Sequence, residues 1–214
     1  MAPAKISDGR RAAGDAPQAT RAALLEAALT LFAARGVDAV SLREIGLAAG
    51  QRNTGVVNYY FADRNGLLDA VVQSFSDRHP GFAAEAASYL PGGSRPSARQ
   101  VAGALVRPMA LLRLRDPDFI QLVARLASDE GRRPHHLTRP AASWYFAVEE
   151  LIAARFGGGV HRSTRARFAE TLTVHALADD ARRSRQADPA VYETFVEELV
   201  TAVAAILSAA SPRT

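Results

Sequence analysis

The chain has 214 residues, a formal net charge of +4 at pH 7 and no cysteine. This length can form one large domain or two smaller ones. The lack of cysteine excludes disulfide frameworks, thiolate nucleophiles and cysteine-ligated zinc. The positive charge suits a polyanionic partner, although the basic residues are spread along the whole chain. Prominent Ala and Leu favour helices, so we expect an all-α protein with little or no sheet.

Residues 1–18 include Pro3 and Pro17 and show no helical period, so we expect a mobile N-terminal arm. An inert tail and a basic arm that reaches a DNA groove through Arg10 and Arg11 are both open interpretations. The sequence has neither the apolar core of a secretory signal nor a run long enough to span a membrane. We therefore expect a cytoplasmic protein with no membrane partner.

An apolar stripe through Leu24, Ala28 and Phe32 recurs at four-residue steps and predicts an amphipathic helix from about Thr20. Gly36 ends it. Ser41 with a Glu three residues later is a capping box, in which each side chain satisfies a free backbone N–H at a helix start. The sequence therefore predicts that a second, short helix begins at Ser41.

This second helix ends at Gly50, and a tight connection over residues 51–53 leads to another short helix over about residues 54–61. The segment is predicted to be a helix, a turn and a helix. Asp63 then caps a longer helix that extends to about Arg78 and links the two parts of the chain. Further helices are predicted over residues 97–114, 117–130, 136–156, 163–185 and 188–209, which gives about nine in total.

The run from Gln51 to Tyr60 is polar but flanked by apolar residues, as expected for a helix that enters the DNA major groove. Base reading needs amide, guanidinium or hydroxyl groups, and phosphate contacts need cations or hydroxyls. Arg52 is the best candidate for base reading, because arginine can pair bidentately with guanine. A solvated turn residue or a phosphate contact is an equally open role for Arg52.

The segments TRAALLEAALTLFAARGVDAVSLREIGLAAG and NTGVVNYYFADRNGLL resemble the TetR family of repressors over about residues 20–72. The resemblance implies a three-helix DNA-binding domain over residues 19–66 and a helical domain for ligand binding and dimerisation over residues 67–214. It also implies roles for individual residues. The predicted DNA-binding set, which includes phosphate contacts, the helix cap and the recognition segment, is Thr20, Arg21, Ser41, Arg52, Asn53, Thr54, Val56, Asn58, Tyr59 and Arg64.

Two features depart from the family pattern. One additional residue lies between Gly50 and Phe61, which predicts a longer turn at residues 51–53. Asn58 stands where the family often has a phosphate-binding tyrosine. Two alternatives follow: either Tyr59 or Tyr60 supplies the phosphate contact, or the contact is lost. We expect Tyr59 to face DNA and Tyr60 to pack beneath the helix with Phe61.

The resemblance is faint beyond about residue 80, where the family shares architecture more than sequence. It implies a pocket for a small-molecule effector and a homodimer formed by the last two helices. The pocket candidates are Met109, Leu112, Phe119, Leu122, Trp144, Tyr145 and His175. The dimer candidates, taken from apolar stripes, are Phe168, Leu172, Leu177, Val191, Phe195, Leu199, Val203 and Ile206. Plain core packing is the alternative for every residue in both sets.

The predicted function is a one-component regulator, a repressor that a small molecule releases from a palindromic site in double-stranded DNA. His175 and Asp179 share a helix face, but two ligands do not make a metal site, and no metal or cofactor is expected. The sequence contains no nucleophile elbow, phosphate-binding glycine loop or zinc-protease motif, so an enzyme is disfavoured. A helical oligomerisation or adaptor protein with a degenerate helix-turn-helix is the main alternative.

Overall fold

The computed structural model describes residues 9–53, 55–91, 96–128, 150, 160–184 and 188–209. Within these ranges the chain forms nine helices and no strand, which confirms the all-α prediction. The contacts divide the chain into two compact units, Met1–Ser74 and Phe75–Thr214. Across the same ranges, no helix has the length and apolar character that a membrane span requires.

The first unit contains a long helix, two short ones and the start of a fourth. These are α1 (Gly9–Arg35), α2 (Leu42–Ala48), α3 (Val56–Phe61) and α4 (Arg64–Arg78). Helix α1 begins about eleven residues earlier than the predicted start at Thr20, and Pro17 lies inside it. The prediction of an arm without helical structure is therefore wrong for residues 9–18, while residues 1–8 lie outside the described residues.

The ends of α2 follow local rules. The Glu44 backbone N–H donates to Ser41 Oγ at 3.2 Å, and the Ser41 backbone N–H donates to Glu44 Oε2 at 2.8 Å, which confirms the capping box. Gly50 adopts a left-handed conformation with φ of 74°, which favours glycine because a side chain would be strained there. The predicted start and end of α2 are confirmed to within two residues.

The core of the first unit joins all four of its helices. Leu24 and Phe32 of α1, Ile45 of α2, Val57 of α3 and Leu67 of α4 are fully buried. Removing this apolar surface from water is the main favourable term in forming the unit. The short α2 and α3 are held in place by this packing, since isolated helices of six or seven residues are not stable in water.

The second unit is a helical bundle. Its helices are α5 (Phe82–Ser88), α6 (Ala98–Arg115), α7 (Pro117–Ser128), α8 (Val160–Arg183) and α9 (Pro189–Ser208). The sequence analysis did not predict α5, whose seven residues are too few to show a clear helical period. The helix predicted over residues 136–156 lies outside the described residues, apart from residue 150.

A buried arginine joins three helices of this bundle. Arg113, near the end of α6, is only 2% exposed. Its Nε lies 2.6 Å from Asp180 Oδ2 of α8, and its guanidinium carbon lies 5.0 Å from the centre of the Tyr192 ring of α9. Tyr192 in turn donates to the Ala110 carbonyl oxygen at 2.8 Å. Burial raises the pKa of the Tyr192 hydroxyl above its usual value, so this hydroxyl remains a hydrogen-bond donor.

Asp116 joins the end of α4 to the start of α7. Its Oδ1 accepts from the Phe119 backbone N–H at 3.0 Å, and its Oδ2 accepts from Arg78 and lies 3.4 Å from His79 Nε2. The Phe75 ring stacks on the Phe119 ring, with 4.4 Å between centroids. The last turn of α4 is therefore fixed to α7 by both polar and apolar contacts.

The corner between α3 and α4 is unusually tight. Ala62 has φ of 62°, and the Asp63 backbone N–H donates to the Phe61 carbonyl oxygen at 2.7 Å, which is a γ-turn with positive φ. Asp63 Oδ1 accepts from the Gly66 backbone N–H at 2.8 Å, so the predicted cap is confirmed. A Cβ atom on Gly66 would lie 2.2 Å from the Phe61 carbonyl oxygen. Only glycine fits at this position.

We expect Gly66→Ala to lower the free energy of unfolding by about 1–3 kcal/mol, because the added methyl meets backbone that cannot move without disturbing the corner. Gly46→Ala is the matched control, since a Cβ there meets only Val56 and Val57 side-chain carbons at 3.8 Å. Higher helix propensity predicts an unchanged or slightly higher stability for this control. Urea unfolding measures both; equal stabilities of the two variants would contradict the steric argument.

Candidate nucleic-acid interface

Helix α3 has one apolar face and one exposed face. Val57 and Phe61 are buried in the unit, whereas Asn58 is exposed and Tyr59 is 83% exposed. The half-buried Tyr60 ring lies edge-on to Tyr59, with 5.1 Å between centroids, and 6.1 Å from the Phe61 ring. This is the arrangement expected from the sequence, with Tyr60 beneath the helix and Tyr59 directed outward. Val56, also predicted to contact DNA, is partly buried.

The turn before α3 presents a free cation. Arg52 is exposed, and within the described part of the chain it forms no hydrogen bond or ion pair. Asn53 is also exposed, and its Oδ1 accepts from the Gly55 backbone N–H at 2.9 Å. Its side-chain oxygen therefore has a structural role that the sequence analysis did not predict. Thr54, a further predicted contact, lies outside the described residues.

Three predicted contacts lie on or beside α1 and α2. Thr20 is partly buried, and its Oγ1 donates to the Ala16 carbonyl oxygen at 3.0 Å. Arg21 is exposed, with its guanidinium carbon 5.4 Å from the centre of the Phe61 ring. Such a cation–π contact holds the charge close to the end of α3. Ser41 is exposed at the start of α2, where its hydroxyl also takes part in the capping box.

Two other arginines are engaged within the unit. Arg64 Nη1 donates to the Asp38 carbonyl oxygen at 3.3 Å and lies 3.5 Å from Asp38 Oδ1. This contact ties the start of α4 to the loop between α1 and α2. Arg35 Nη1 lies 2.7 Å from Glu44 Oε1. Arg64 thus positions the start of α4 within the unit. This role is additional to the phosphate contact predicted for it.

One exposed cation was not singled out in the sequence. Arg43, the second residue of α2, is exposed and makes no hydrogen bond or ion pair with any described residue. Its position two residues after the capping Ser41 is the signal that would have identified it, because a cation in the first turn of a helix lies near the free backbone N–H groups that bind anions. Arg43 and Arg52 are therefore the arginines of α2 and its turn that are available to a polyanion.

The described first unit combines a helix-turn-helix with an exposed polar face. A family model for bacterial regulatory proteins of the tetR family matches residues 24–71. The first unit is therefore similar to the DNA-binding domain of the tetR family over these residues. The matched residues include α2, the turn and α3, so the chain is a DNA-binding regulator. The matched model describes regulatory proteins rather than enzymes.

Solved structures share the fold. One is a TetR-family transcriptional regulator from Rhodococcus sp., 20% identical, with a TM-score of 0.52 over 89% of this chain and all of that one. A second is an alanine-substituted mutant of HlyIIR, 14% identical, with a TM-score of 0.52 over 96% of this chain and all of that one. A comparison with curated protein sequences found no match. These likenesses support the helical fold of both units.

Most of the pocket candidates are buried in the second unit. Met109 and Leu112 of α6 and Phe119 and Leu122 of α7 are buried in the second unit. Such contacts are equally typical of a plain core, which the sequence analysis left open. His175 of α8 is partly buried, and its Nε2 lies 3.0 Å from Ser128 Oγ. Trp144 and Tyr145 lie outside the described residues.

An open groove of about 470 Å³ lies elsewhere in the second unit. It is bordered by α5, α6 and α9, and its wall includes Tyr89, Gln100, Arg107, Glu197 and Val200. The carboxylate of Glu197 already accepts from two arginines, Arg99 and Arg107. None of the predicted pocket residues lines this groove, and its charges are compensated within the protomer.

The dimer candidates fall into two groups. Leu177, Leu199 and Val203 are at most 5% exposed. Their assignment to a dimer surface is corrected: they face the core of their own protomer. The others remain accessible, with Phe168 55% exposed, Val191 68% exposed, and Leu172, Phe195 and Ile206 partly buried. Ala202 and Ala205 are also exposed and lie on the same side of α9 as Ile206.

His175 and Asp179 contact different partners. Asp179 lies 3.0 Å from Arg182 and 2.7 Å from Arg183, and hydrogen bonds from Arg183 lower the pKa of its carboxyl group. No group of three His, Asp or Glu side chains suited to a metal ion occurs among the residues that the structure describes. Each of the two residues therefore has its own hydrogen-bond partners within the second unit.

Glu44 supports the start of α2 through its charge. Its pKa is lowered to about 2, first by the hydrogen bond from the Ser41 backbone and then by Arg35. Because the pKa of the folded protein lies below the ordinary value of 4.5, ionised Glu44 favours the folded state above about pH 4.5. This contribution is lost as the pH falls towards 2.

We therefore expect Glu44→Gln to destabilise the protein more at pH 7 than at pH 3, since glutamine keeps the capping acceptor but not the charge. Guanidinium unfolding at both pH values provides the measurement. Glu26→Gln, on the exposed side of α1, controls for the loss of one carboxylate. A destabilisation by Glu44→Gln that is equal at the two pH values would contradict a role for the charge.

Proposed function

We propose that this regulator is a repressor that binds a palindromic DNA site as a homodimer and is released by a small molecule. A protein that represses chromosomal genes works where the DNA is, so the proposed location is the cytoplasm. The main support for DNA binding is the exposed face of α3 and of the turn that precedes it. There, Arg52, Asn58 and Tyr59 are exposed, while Val57 anchors the helix in the core.

The proposed contacts divide by chemistry. Arg52 and Asn58 carry groups that can match base edges in the major groove. Thr20, Arg21, Ser41 and Tyr59 carry the hydroxyl and cationic groups that bind phosphate. Arg64 joins them if it exchanges Asp38 for a phosphate when DNA is bound.

The proposed dimer surface uses the accessible apolar residues of α8 and α9. We define it as Phe168, Leu172, Val191, Phe195, Ala202, Ala205 and Ile206. Large exposed side chains such as Phe168 and Val191 favour burial against a second surface. A two-fold dimer would place two recognition helices on two half-sites of a palindrome.

The proposed release mechanism depends on the last turn of α4. This turn packs on α7 through Phe75 and Phe119 and pairs with Asp116 through Arg78. A ligand among the buried residues of α6 and α7 that moved α7 would therefore displace α4, which leads directly from α3. Release would then be a population shift between two dimer geometries. A compound that binds tightly but leaves the affinity for DNA unchanged would contradict this mechanism for that compound.

Selection of bound duplexes from a random pool tests the DNA-binding proposal. We expect a palindromic duplex whose binding weakens as salt increases. On that duplex, Arg52→Ala should relax the preference at one base pair in each half-site, and Arg64→Ala should weaken binding to all sequences and lower the salt slope by about one. Fluorescence anisotropy over a series of salt concentrations measures both effects.

Arg99→Ala is the control, because it removes the same charge from the second unit. Recovery of no preferred duplex by the wild-type protein would favour the adaptor interpretation over the regulator. An Arg64→Ala variant that binds more weakly but keeps the full salt slope would assign Arg64 to positioning alone. Equal losses on all sequences from both variants would make Arg52 a phosphate contact.

For the dimer, we expect Phe168→Glu to weaken self-association by at least about tenfold, because the symmetry introduces two charges into one apolar surface. Val191→Glu should act in the same direction. Leu114→Glu is the matched control, since Leu114 is 51% exposed, similar to Phe168, but lies on α6. Sedimentation equilibrium gives the association constants. Dimers of unchanged strength in both α8 and α9 variants would contradict the proposed surface.

A further inference from the structure

The turn before α3 holds its exposed arginine between two anchored residues. Arg52 has no partner among the described residues, yet both of its neighbours are bound to the helices that flank the turn. A long flexible side chain on a mobile loop loses conformational freedom on binding, whereas one on a fixed backbone loses less. The anchors on each side therefore determine how effectively Arg52 can recognise a partner.

The first anchor is Gln51. Its backbone N–H donates to the Gly46 carbonyl oxygen at 2.9 Å, across the left-handed Gly50. Its side-chain Nε2 donates to the Ala49 carbonyl oxygen at 3.3 Å. Gln51 is also partly buried. The chain entering Arg52 is thus fixed to the C-terminal end of α2.

The second anchor is Asn53. Its Oδ1 accepts from the Gly55 backbone N–H at 2.9 Å, and its carbonyl oxygen accepts from the Val56 backbone N–H at 3.3 Å. An asparagine that binds the backbone two residues ahead sets the local turn conformation. The chain leaving Arg52 is thus fixed to the start of α3.

We propose that Asn53 is a positioning residue that presents Arg52 to a base edge, and that its oxygen reads no base itself. This inference rests on the proposed function, in which Arg52 reads a base pair. The oxygen that would accept from a base already accepts from the Gly55 N–H, which directs it towards the backbone of the turn. Specificity at the base pair under Arg52 therefore depends on a side chain that acts through the backbone of the turn.

Two substitutions separate positioning from direct contact. Asn53→Ala removes the acceptor for the Gly55 N–H. Asn53→Asp keeps an acceptor of the same shape but replaces the amide donor with a negative charge. A positioning role is therefore preserved in the aspartate variant and lost in the alanine variant. A direct contact through the amide is lost in both variants.

The experiment uses the full-length protein and the duplex that the wild type selects from a random pool. Binding is measured to that duplex and to versions with each base pair changed. Arg52→Ala identifies the base pair that Arg52 reads, through a loss of discrimination of about tenfold. We expect Asn53→Ala to lose most of that discrimination at the same base pair. Adding Asn53→Ala to Arg52→Ala should cause no further loss there.

Asn53→Asp should bind all duplexes more weakly, because it adds a negative charge beside phosphates, but it should keep the discrimination ratio. Amide hydrogen exchange at Gly55 gives an independent readout of the anchor, which should open in the alanine variant only. Thermal unfolding of all variants verifies that the fold is intact.

The possible outcomes are distinct. Full discrimination in Asn53→Ala, or equal loss of discrimination in the alanine and aspartate variants, would overturn the positioning role while the proposed function stands. A loss at a different base pair from that of Arg52 would make Asn53 a reader in its own right. Failure of the wild type to select any duplex would overturn the proposed function and this inference together.

Discussion

The second unit depends on the pairing of one buried guanidinium. A charge that is withdrawn from water must be matched by nearby partners, and breaking such a pair by removing one partner costs about 3–5 kcal/mol. Arg113 meets this requirement through Asp180 on α8 and the Tyr192 ring on α9. Both helices are therefore fixed in their rotation relative to α6. Phe168 and Val191, which lie on the same two helices, remain exposed.

The features that the sequence predicted correctly are local ones. The capping box at Ser41, the helix end at Gly50 and the cap at Asp63 each involve residues within four positions of one another, so the sequence contains the whole interaction. The contacts of the half-buried Tyr60 ring with Tyr59 and Phe61 are also local, since its neighbours in the chain are its neighbours in space. By contrast, the start of α1 at Gly9 was not predicted, because Pro17 lies inside this helix. Proline removes a helical hydrogen bond and usually indicates a break.

The features that the sequence could not predict depend on contacts between distant residues. An apolar stripe shows that a helix has a buried side, but it does not show whether that side faces its own protomer or a partner. Leu199 and Val203 are buried within their own protomer and Val191 is exposed, although all three lie on α9. The partner of Arg64 was also unpredictable, since Asp38 is 26 residues away.

The anchoring of the turn before α3 affects how this domain can be modified. Specificity is often altered by exchanging a recognition helix between relatives, with the flanking chain left in place. Here the Asn53 side chain accepts from the Gly55 N–H at the start of α3. The Gln51 N–H at the other end of the turn donates to the Gly46 carbonyl oxygen of α2. A graft limited to residues 56–61 would place foreign side chains on a backbone adjusted to Arg52. Residues 46–61 therefore form the smallest segment that can be exchanged between relatives as a unit.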